Sequence, residues 1–429
     1  MIATVILVMV VLTFLGLPMA VSLGLSSLTP WLLNHSFAAN PVFIMRGLIN
    51  ALDSTTLLAI PLFMLSGAIM AKGGISKKLF DVFAIFIGKR TAGIPCAVIV
   101  TCLFYGAISG SGPATVAAVG VMCIPILVEL GYDKIFSCSL VAVAGSLGVI
   151  IPPSIPMVTF GIMTGISIGA LFTGGVIPGV LIAAALMVYA WFYCRRNGED
   201  KAKVAANHEK LLERGYFAVL REGFWALLCP VIILGSIYTG LCSPTQSACI
   251  SVWYALLVSL FIYRTMKFRD IITYMLEAIN SYAGLCMMIS VSMAFAKTLT
   301  LLKAPTLLAK FISESISSRY VFLAAVVVAM LIIGMFIDGG PAIAILSPIL
   351  LPSAQALGVN PVHFGIIMIC CLAIGLVTPP FGLNLFVGAP LVDEQPMTIG
   401  KAAMPFIVSF LVALLLIVFV PQLSLLLAR

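Results

Sequence analysis

The sequence predicts an all-α, polytopic membrane protein with about 11–12 transmembrane helices. Its 429 residues are 62% hydrophobic and 9% charged, with 23 Lys and Arg against 15 Asp and Glu. A water-soluble chain of this length would carry roughly a hundred charged residues, and without them its surface would be one large apolar patch. Apolar stretches of about 18–25 residues recur along the chain, which is the length of a spanning helix and about twice that of a barrel strand.

Residues 1–71 are expected to supply the N-terminal scaffold spans. An apolar segment covers residues 2–33, as one long kinked span or two short ones, and a further span covers 52–71. Because the N-terminus lacks a basic region and a small-residue cleavage site, we interpret it as a retained membrane segment and not as a signal peptide.

Residues 72–193 are predicted to form a unit of four parts. A short basic segment at 75–90 has the composition of an interfacial helix, and a hairpin follows at 95–130. A span broken by two adjacent prolines runs over 135–165, and a continuous apolar span over 168–193 completes the unit.

The hydrophilic segment 194–223 is predicted to be a cytoplasmic loop. Seven of its residues are Lys or Arg, and basic residues collect in cytoplasmic loops. Scaffold spans over 224–296 follow. The turn inside this region carries Arg264, Lys267 and Arg269, and since it comes two spans later it lies on the same side of the membrane.

Residues 297–392 repeat the layout of the first unit, with a hairpin at 320–357 and a broken span at 362–391, and 393–429 supply a C-terminal span. Steps of 6, 17 and 4 residues separate the matching positions in both copies, which are Pro125, Gly131, Gly148 and Pro152 in the first copy and Pro352, Gly358, Gly375 and Pro379 in the second. We count five spans between the copies, so the second copy is inverted in the membrane. Inverted repeats with interrupted spans are typical of secondary transporters, and the interruptions indicate the binding site.

The tip of the first hairpin has the composition of an ion site. Three glycines and a proline between Tyr105 and Thr115 cannot continue a helix, and non-helical backbone at membrane depth is tolerated only where it is buried or lines a wet cavity. Hard oxygen ligands of the kind suited to Na+ are concentrated here. They are the hydroxyls of Ser109 and Ser111 and nearby carbonyls, including that of Gly112. A close contact of small residues is the alternative interpretation.

The first broken span is the predicted partner of this tip. Two adjacent prolines remove two N–H donors and free the carbonyls about one turn earlier. We expect Gly148, Ile151 and Pro152 to contribute to a Na+ site, while Ser154 opens the second half-helix and faces the substrate together with Ser109. A simple proline kink is the alternative interpretation.

The second copy predicts a second Na+ site built in the same way. Gly339 lies at its hairpin tip, and Thr378, Pro379 and Gly382 lie at its broken span, where Asn384 supplies a further oxygen. Two inverted sites predict at least two Na+ ions per transport cycle.

Asp338 is the most informative single residue. An acid within an apolar region is costly and therefore functional by default. We assign it to substrate hydroxyl or amine groups, or to Na+; the alternative is an interfacial acid outside the hydrocarbon. Glu277 is expected at the cytoplasmic interface. His363, which follows Asn360-Pro361, is expected on the solvent side of a loop.

Several chemistries have no motif in the chain. It contains no ATP-binding P-loop and no His-Glu-x-x-His zinc motif, and its eleven cysteines form no Cys-x-x-Cys pair. We therefore do not expect an enzyme.

Four motifs of this chain resemble those of the large membrane subunit of tripartite ATP-independent periplasmic (TRAP) transporters, of the DctM/SiaM type. They are Ser109–Thr115, Gly131–Asp133, Gly145–Ser154 and Gly334–Pro341. The resemblance covers roughly residues 50–395 and is greatest, on overall impression, to the sialic-acid branch. It implies the elevator fold of the ion-transporter superfamily in the bacterial inner membrane, driven by a Na+ gradient. It also implies two protein partners, a small four-helix membrane subunit and a periplasmic binding protein that delivers an organic acid.

The predicted function is thus Na+-coupled import of an organic acid such as sialic acid or a C4-dicarboxylate. A stand-alone Na+/dicarboxylate-type carrier and an ion channel are the alternatives, although a channel would need a continuous polar stripe that the sequence lacks.

Overall fold

A computed structural model describes residues 1–307, 310, 318–336 and 339–428. The helices of the first half are α1 Ile2–Phe14, α2 Met19–Leu33, α3 Pro41–Leu52, α4 Ala59–Lys72, α5 Ile75–Ile87, α6 Gly93–Ser109, α7 Gly112–Glu129, α8 Lys134–Gly145, α9 Ile155–Thr164 and α10 Ile168–Asn197. Those that follow are α11 Lys201–Glu213, α12 Tyr216–Tyr238, α13 Pro244–Leu257, α14 Phe268–Leu301, α15 Arg319–Gly334, α16 Gly339–Ala356, α17 Pro361–Gly375, α18 Leu383–Gly388, α19 Pro396–Phe419 and α20 Gln422–Leu425.

The predicted all-α, multi-pass architecture is confirmed. Within the described ranges, seven helical stretches are long and apolar enough to cross a membrane, and eight shorter apolar helices accompany them. The apolar segment 2–33 forms two short helices, which separate at Gly16, where φ is +84°.

Helix α3 is a difference from the sequence prediction, which assigned no helix to residues 34–51. The Asn40 side chain accepts the N–H of Phe43 at 2.8 Å, and Pro41 occupies the first helical position, so the helix begins with a strong N-terminal signal. Its 12 residues are too short to cross a membrane. Gly47 instead lets α3 approach α14, where a Cβ on Gly47 would lie 3.4 Å from the Ala294 Cβ.

The first hairpin and both broken spans have the predicted form. Arms α6 and α7 contain 17 and 18 residues, about 26 Å each, and α15 and α16 are their counterparts. The first broken span consists of α8, a 3-10 turn at Ser146–Val149, and α9. In the second, α17 ends at Gly375 and α18 begins at Leu383. Both Pro-Pro peptide bonds are cis.

The segment predicted as a hydrophilic loop contains helix α11, which ion pairs fasten to its neighbours. Arg214, just after α11, donates to Asp81 of α5 at 2.7 Å and to Glu222 of α12 at 3.0 Å. At the other end of α11, the Glu199 carboxylate accepts the backbone N–H of Ala92 at 3.0 Å and the hydroxyl of Tyr132. Burial, together with this hydrogen bond, raises the pKa of Tyr132 well above its usual value, so the phenol stays protonated and keeps donating.

Helix α14 lies between the N-terminal helices and the second hairpin. It packs against α2, α3 and α4 and against α16 of the second hairpin. A small apolar cluster that includes Val5, Leu23, Phe295 and Ile345 joins the N-terminal helices to this region, while the main apolar core runs through both repeats.

Candidate substrate and ion site

The tip of the first hairpin is a two-residue break between α6 and α7. Gly110 ends α6 with φ +64°, and Ser111 is extended at the start of α7. A Cβ on Gly110 would lie 2.9 Å from the Pro153 carbonyl oxygen, so both the backbone conformation and the close approach require glycine here. The Gly110 carbonyl accepts the N–H of Ile155 at 3.2 Å. The tip is therefore hydrogen-bonded to the start of α9.

Three oxygen atoms gather at this tip. The hydroxyls of Ser109 and Thr115 are 2.9 Å apart, and both donate to the Ser111 carbonyl, at 3.3 Å and 2.8 Å respectively. Ser109 and Thr115 are buried. Neutral oxygens of this kind are suitable ligands for a hard cation. Among the described residues, no group of three or more His, Cys, Asp and Glu side chains could hold a metal ion.

The first broken span packs directly on this oxygen cluster. A Cβ on Gly148 would lie 2.5 Å from Thr115 Oγ1 and 2.7 Å from the Ser111 carbonyl oxygen. Ile151 and Pro152 are buried just beyond it. Ser154 is also buried; it donates to the Val149 carbonyl and accepts the Met157 N–H at 3.4 Å. The structure thus brings the predicted residues of the first repeat together, and Ser154 caps α9.

The second broken span reaches back to the first hairpin. The backbone at Gly382 has φ +30°, and a Cβ there would lie 3.1 Å from the Thr378 carbonyl and 3.2 Å from the Leu376 carbonyl. Asn384 is buried and donates to the Ala142 carbonyl of α8 at 3.0 Å. Its Oδ1 has no hydrogen-bond partner among the described residues, and a Cβ on Gly112 would lie 3.3 Å from it.

The same close backbone contact occurs within each of the two repeats. A Cβ on Gly106 would lie 2.5 Å from the Gly148 Cα, and a Cβ on Gly375 would lie 2.5 Å from the Gly334 Cα. In both copies, the first hairpin arm and the broken span therefore touch backbone to backbone. Gly148 and Gly375 are 227 positions apart in the sequence, which is the offset of the proline repeat, and Gly106 and Gly334 are 228 apart, one residue more.

The second hairpin tip is described in part. Asp338, the predicted substrate residue, lies outside the described residues. Gly339 begins α16, and a Cβ there would lie 3.7 Å from Pro156 of α9 and 3.9 Å from Leu372 of α17. Thr378 is half-buried and donates to the Ile374 carbonyl at 2.7 Å; Pro379 lies beside Gly400.

A cavity of about 630 Å³ opens between α4, α14 and the first hairpin. Ser109 and Ser111 line one part of it, and Lys72 and Glu277 line another. Most of the remaining wall consists of alanine residues and Gly67, so the space is wide because the residues around it are small.

Two residues differ from their sequence interpretation. Thr115 was not among the predicted ligands, although its position four residues after Ser111 in a helix allows its hydroxyl to reach that carbonyl. His363 is not on the solvent side: it is buried, and its Nδ1 is 2.6 Å from the Ser424 hydroxyl. Asn360 accepts the N–H of Val362, so α17 has already begun there, and α20 covers the ring.

Comparison with known proteins identifies the family. The family model for the tripartite ATP-independent periplasmic transporter, DctM component, matches residues 6–423. The chain belongs to this family. Together with the apolar helices, this makes it a multi-pass protein of the bacterial inner membrane.

Relatives named for different substrates are similar to this chain over nearly its whole length. The C4-dicarboxylate TRAP transporter large permease protein DctM of Pseudomonas aeruginosa is 38% identical, over 94% of this chain and 93% of that protein. The sialic acid TRAP transporter large permease protein SiaM of Vibrio cholerae is 32% identical, over 97% and 96%. The isethionate TRAP transporter permease protein DctMQ of Oleidesulfovibrio alaskensis is 38% identical over 95% of this chain, which spans 63% of that longer relative.

A solved structure supports the fold. The YdaH transporter of Alcanivorax borkumensis superposes with a TM-score of 0.56, covering 88% of this chain and 86% of that one at 15% sequence identity. At this identity the likeness concerns the fold alone.

Proposed function

We propose that this TRAP permease is the large subunit of a Na+-coupled secondary transporter that imports an organic acid by an elevator mechanism. In this proposal, the two hairpins and the two broken spans move as one body against a scaffold formed by the N-terminal helices and the spans after residue 220.

The oxygen cluster at the first hairpin tip is the observation that carries the proposal. Two hydroxyls and a carbonyl, from Ser109, Thr115 and Ser111, lie within 3.3 Å of one another, at a tip hydrogen-bonded to a broken helix. Discontinuous helices of this kind coordinate the coupling ion in many secondary transporters. We assign the first Na+ to this cluster, with Gly112, Gly148, Ile151 and Pro152 as the surrounding backbone.

We assign a second Na+ to the corresponding break in the second repeat. The carbonyls of Leu376 and Thr378 converge over Gly382. Gly339 and Pro379 would complete the backbone around this ion. The partnerless Asn384 Oδ1 lies near Gly112 of the first tip, so this amide is a candidate link between the two sites.

The proposed substrate is an organic anion held at the first tip. The three relatives described above are named for the transport of a C4-dicarboxylate, sialic acid and isethionate, all organic acids. Ser109, Ser154 and the amides opening α7 would bind its carboxylate or sulfonate. Asp338 would accept from substrate hydroxyl or amine groups.

The proposed partners follow from the family. A small membrane subunit would enlarge the scaffold, and a periplasmic binding protein would deliver the substrate. The test is uptake of radiolabelled succinate, isethionate and N-acetylneuraminate into proteoliposomes that contain this chain and its small subunit, with the Na+ gradient and the binding protein varied independently.

We expect uptake only with both partners, and a Hill coefficient for Na+ above one. Ser109→Ala should raise the Na+ concentration for half-maximal uptake. Ser137→Ala is its matched control, because Ser137 is equally buried but donates to its own helix at 2.8 Å. Unchanged uptake when choline replaces Na+ at constant membrane potential contradicts Na+ coupling, and full transport by this chain alone contradicts the tripartite assembly.

A further inference from the structure

An ion pair stands at the mouth of the cavity below the first hairpin tip. The Lys72 ammonium is 2.6 Å from both carboxylate oxygens of Glu277, and it lies 4.8 Å from the ring centre of Tyr274. Glu277 and Tyr274 are one turn apart on α14, so they present a carboxylate and an aromatic face to the same cation. The pair is therefore held at a defined place on the cavity wall.

The pair lies within reach of the proposed ion and substrate site. A Cβ on Gly67 of α4 would lie 3.0 Å from the Ser109 Cα, and Tyr105 donates to the Gly67 carbonyl at 3.2 Å. Lys72 follows Gly67 by five residues on the same helix, a rise of about 8 Å. The cavity that Ser109 and Lys72 both line is thus a short path between them.

The Lys72 end of the cavity lies beside a basic turn of the protein. The turn after Lys72 is joined to the turn between α13 and α14, where Thr265 donates to the Gly73 carbonyl at 3.1 Å. Arg264 and Lys267 flank Thr265, and this cluster marks the predicted cytoplasmic side. An anion that leaves the hairpin tip on this side passes Lys72.

Glu277 holds Lys72 by a contact that another carboxylate can replace. Both side chains are close to half exposed, at 44% and 47%, and exposed ion pairs contribute only about 0–1 kcal/mol. Replacing one carboxylate by another on the same ammonium therefore costs little. Tyr274 continues to position the ammonium while the carboxylates exchange, since the cation–π contact does not involve Glu277.

We propose that Lys72 is an anion subsite at the cytoplasmic mouth of the cavity, where the carboxylate or sulfonate of the transported acid displaces Glu277. Glu277 is then a built-in competitor that keeps the subsite from retaining the anion. This inference rests on the proposed function and adds a specificity-determining residue to it.

The test compares two substitutions that the proposal predicts to act in opposite directions. Lys72→Gln removes the cation and should raise the half-saturating concentration of the acid on the cytoplasmic side about fivefold. Glu277→Gln removes the competitor and should lower it. The measurement is counterflow of radiolabelled succinate, isethionate and N-acetylneuraminate, each in turn, by the complex with its small subunit and binding protein in proteoliposomes of determined orientation.

Lys78→Gln is the matched control. The Lys78 ammonium has the same two kinds of neighbour, at 3.1 Å from the Glu222 carboxylate and 4.5 Å from the ring centre of Tyr263. Lys78 does not line this cavity. It should leave the half-saturating concentration unchanged. Because Lys72 and Glu277 are both partly exposed, Lys72→Gln and Glu277→Gln should both fold. If Lys72→Gln does not fold, Glu277→Gln alone still tests the inference.

If the ion pair only holds α4 against α14, Lys72→Gln and Glu277→Gln should both weaken transport and change the half-saturating concentration in the same direction. That result, or an unchanged half-saturating concentration in both variants, overturns the inference while wild-type transport upholds the proposed function. A wild-type complex that moves none of the three acids contradicts the proposed function, and the inference with it.

Discussion

Replacing Gly106 by alanine tests the contact between the first hairpin and the first broken span. The new methyl group would lie 2.5 Å from the Gly148 Cα, whereas carbon atoms in contact are about 3.5–4.0 Å apart. The two helices must therefore separate by about 1 Å. Because backbone atoms meet here, no side-chain rotation can relieve the clash.

Two opposing terms set the expected change in stability. Overpacking of this kind lowers the free energy of unfolding by about 1–3 kcal/mol. Alanine in place of glycine inside a helix raises it by about 1 kcal/mol. The net destabilisation is about 0–2 kcal/mol. The effect on transport should be larger, because the oxygen cluster of Ser109, Ser111 and Thr115 shifts relative to the break; we expect uptake to fall about tenfold or more.

The assay is Na+-dependent uptake by the reconstituted complex, together with its thermal unfolding midpoint. Gly375→Ala should lower uptake and stability as Gly106→Ala does, since its methyl group would lie 2.5 Å from the Gly334 Cα in the second repeat. Gly235→Ala is the control: a Cβ there meets nothing within 4 Å, so this variant should be as active as wild type and slightly more stable. If Gly106→Ala matches the Gly235 control in uptake and in Na+ affinity, the backbone contact does not position the site.

Thr115→Val removes one hydroxyl from the oxygen cluster at nearly constant volume, and it should weaken Na+ affinity measured by uptake; Thr300→Val removes an exposed hydroxyl that bonds only to its own helix and should change nothing. Asp338→Ala and Ser154→Ala should each abolish most uptake while the complex still purifies intact, and wild-type kinetics in either variant would place the substrate elsewhere. Arg214→Gln leaves its buried carboxylate partner without a cation and should lower the thermal unfolding midpoint by an amount equivalent to about 1–3 kcal/mol; an unchanged midpoint would show that α11 is held by other contacts.

The elements marked by glycine and proline were predictable from the sequence. Hairpin tips and broken spans are local features, because Gly110 and the Pro152–Pro153 pair act on the backbone where they stand. Helix α3 was not predicted, since a 12-residue helix is shorter than the apolar stretch that identifies a span. Asn40 and Pro41 were the available signal.

The long-range contacts of the site were not predictable in the same way. Asn384 reaches the Ala142 carbonyl across 242 positions of sequence, and His363 is buried by Ser424, 61 positions away. No local pattern specifies which elements meet at such distances. The sequence identified the side-chain oxygen of Asn384 as a candidate ligand, but only the fold places this residue between the first hairpin and the first broken span.

The hydrogen bonds at the first tip bear on how a coupled carrier completes its cycle. A carrier that moves ions and substrate one way must also return without them, and a buried carbonyl left without a partner would be costly in that step. The Ser111 carbonyl accepts the backbone N–H of Thr115 at 3.1 Å and both neighbouring hydroxyls, from Ser109 and Thr115, so it is satisfied from within the tip. Cation binding there, as proposed, would require the carbonyl to exchange a hydroxyl donor for the ion, which replaces one interaction by another. In the proposed cycle the same three oxygens would therefore suit both halves, because the carbonyl keeps hydrogen-bond or ion partners with and without Na+.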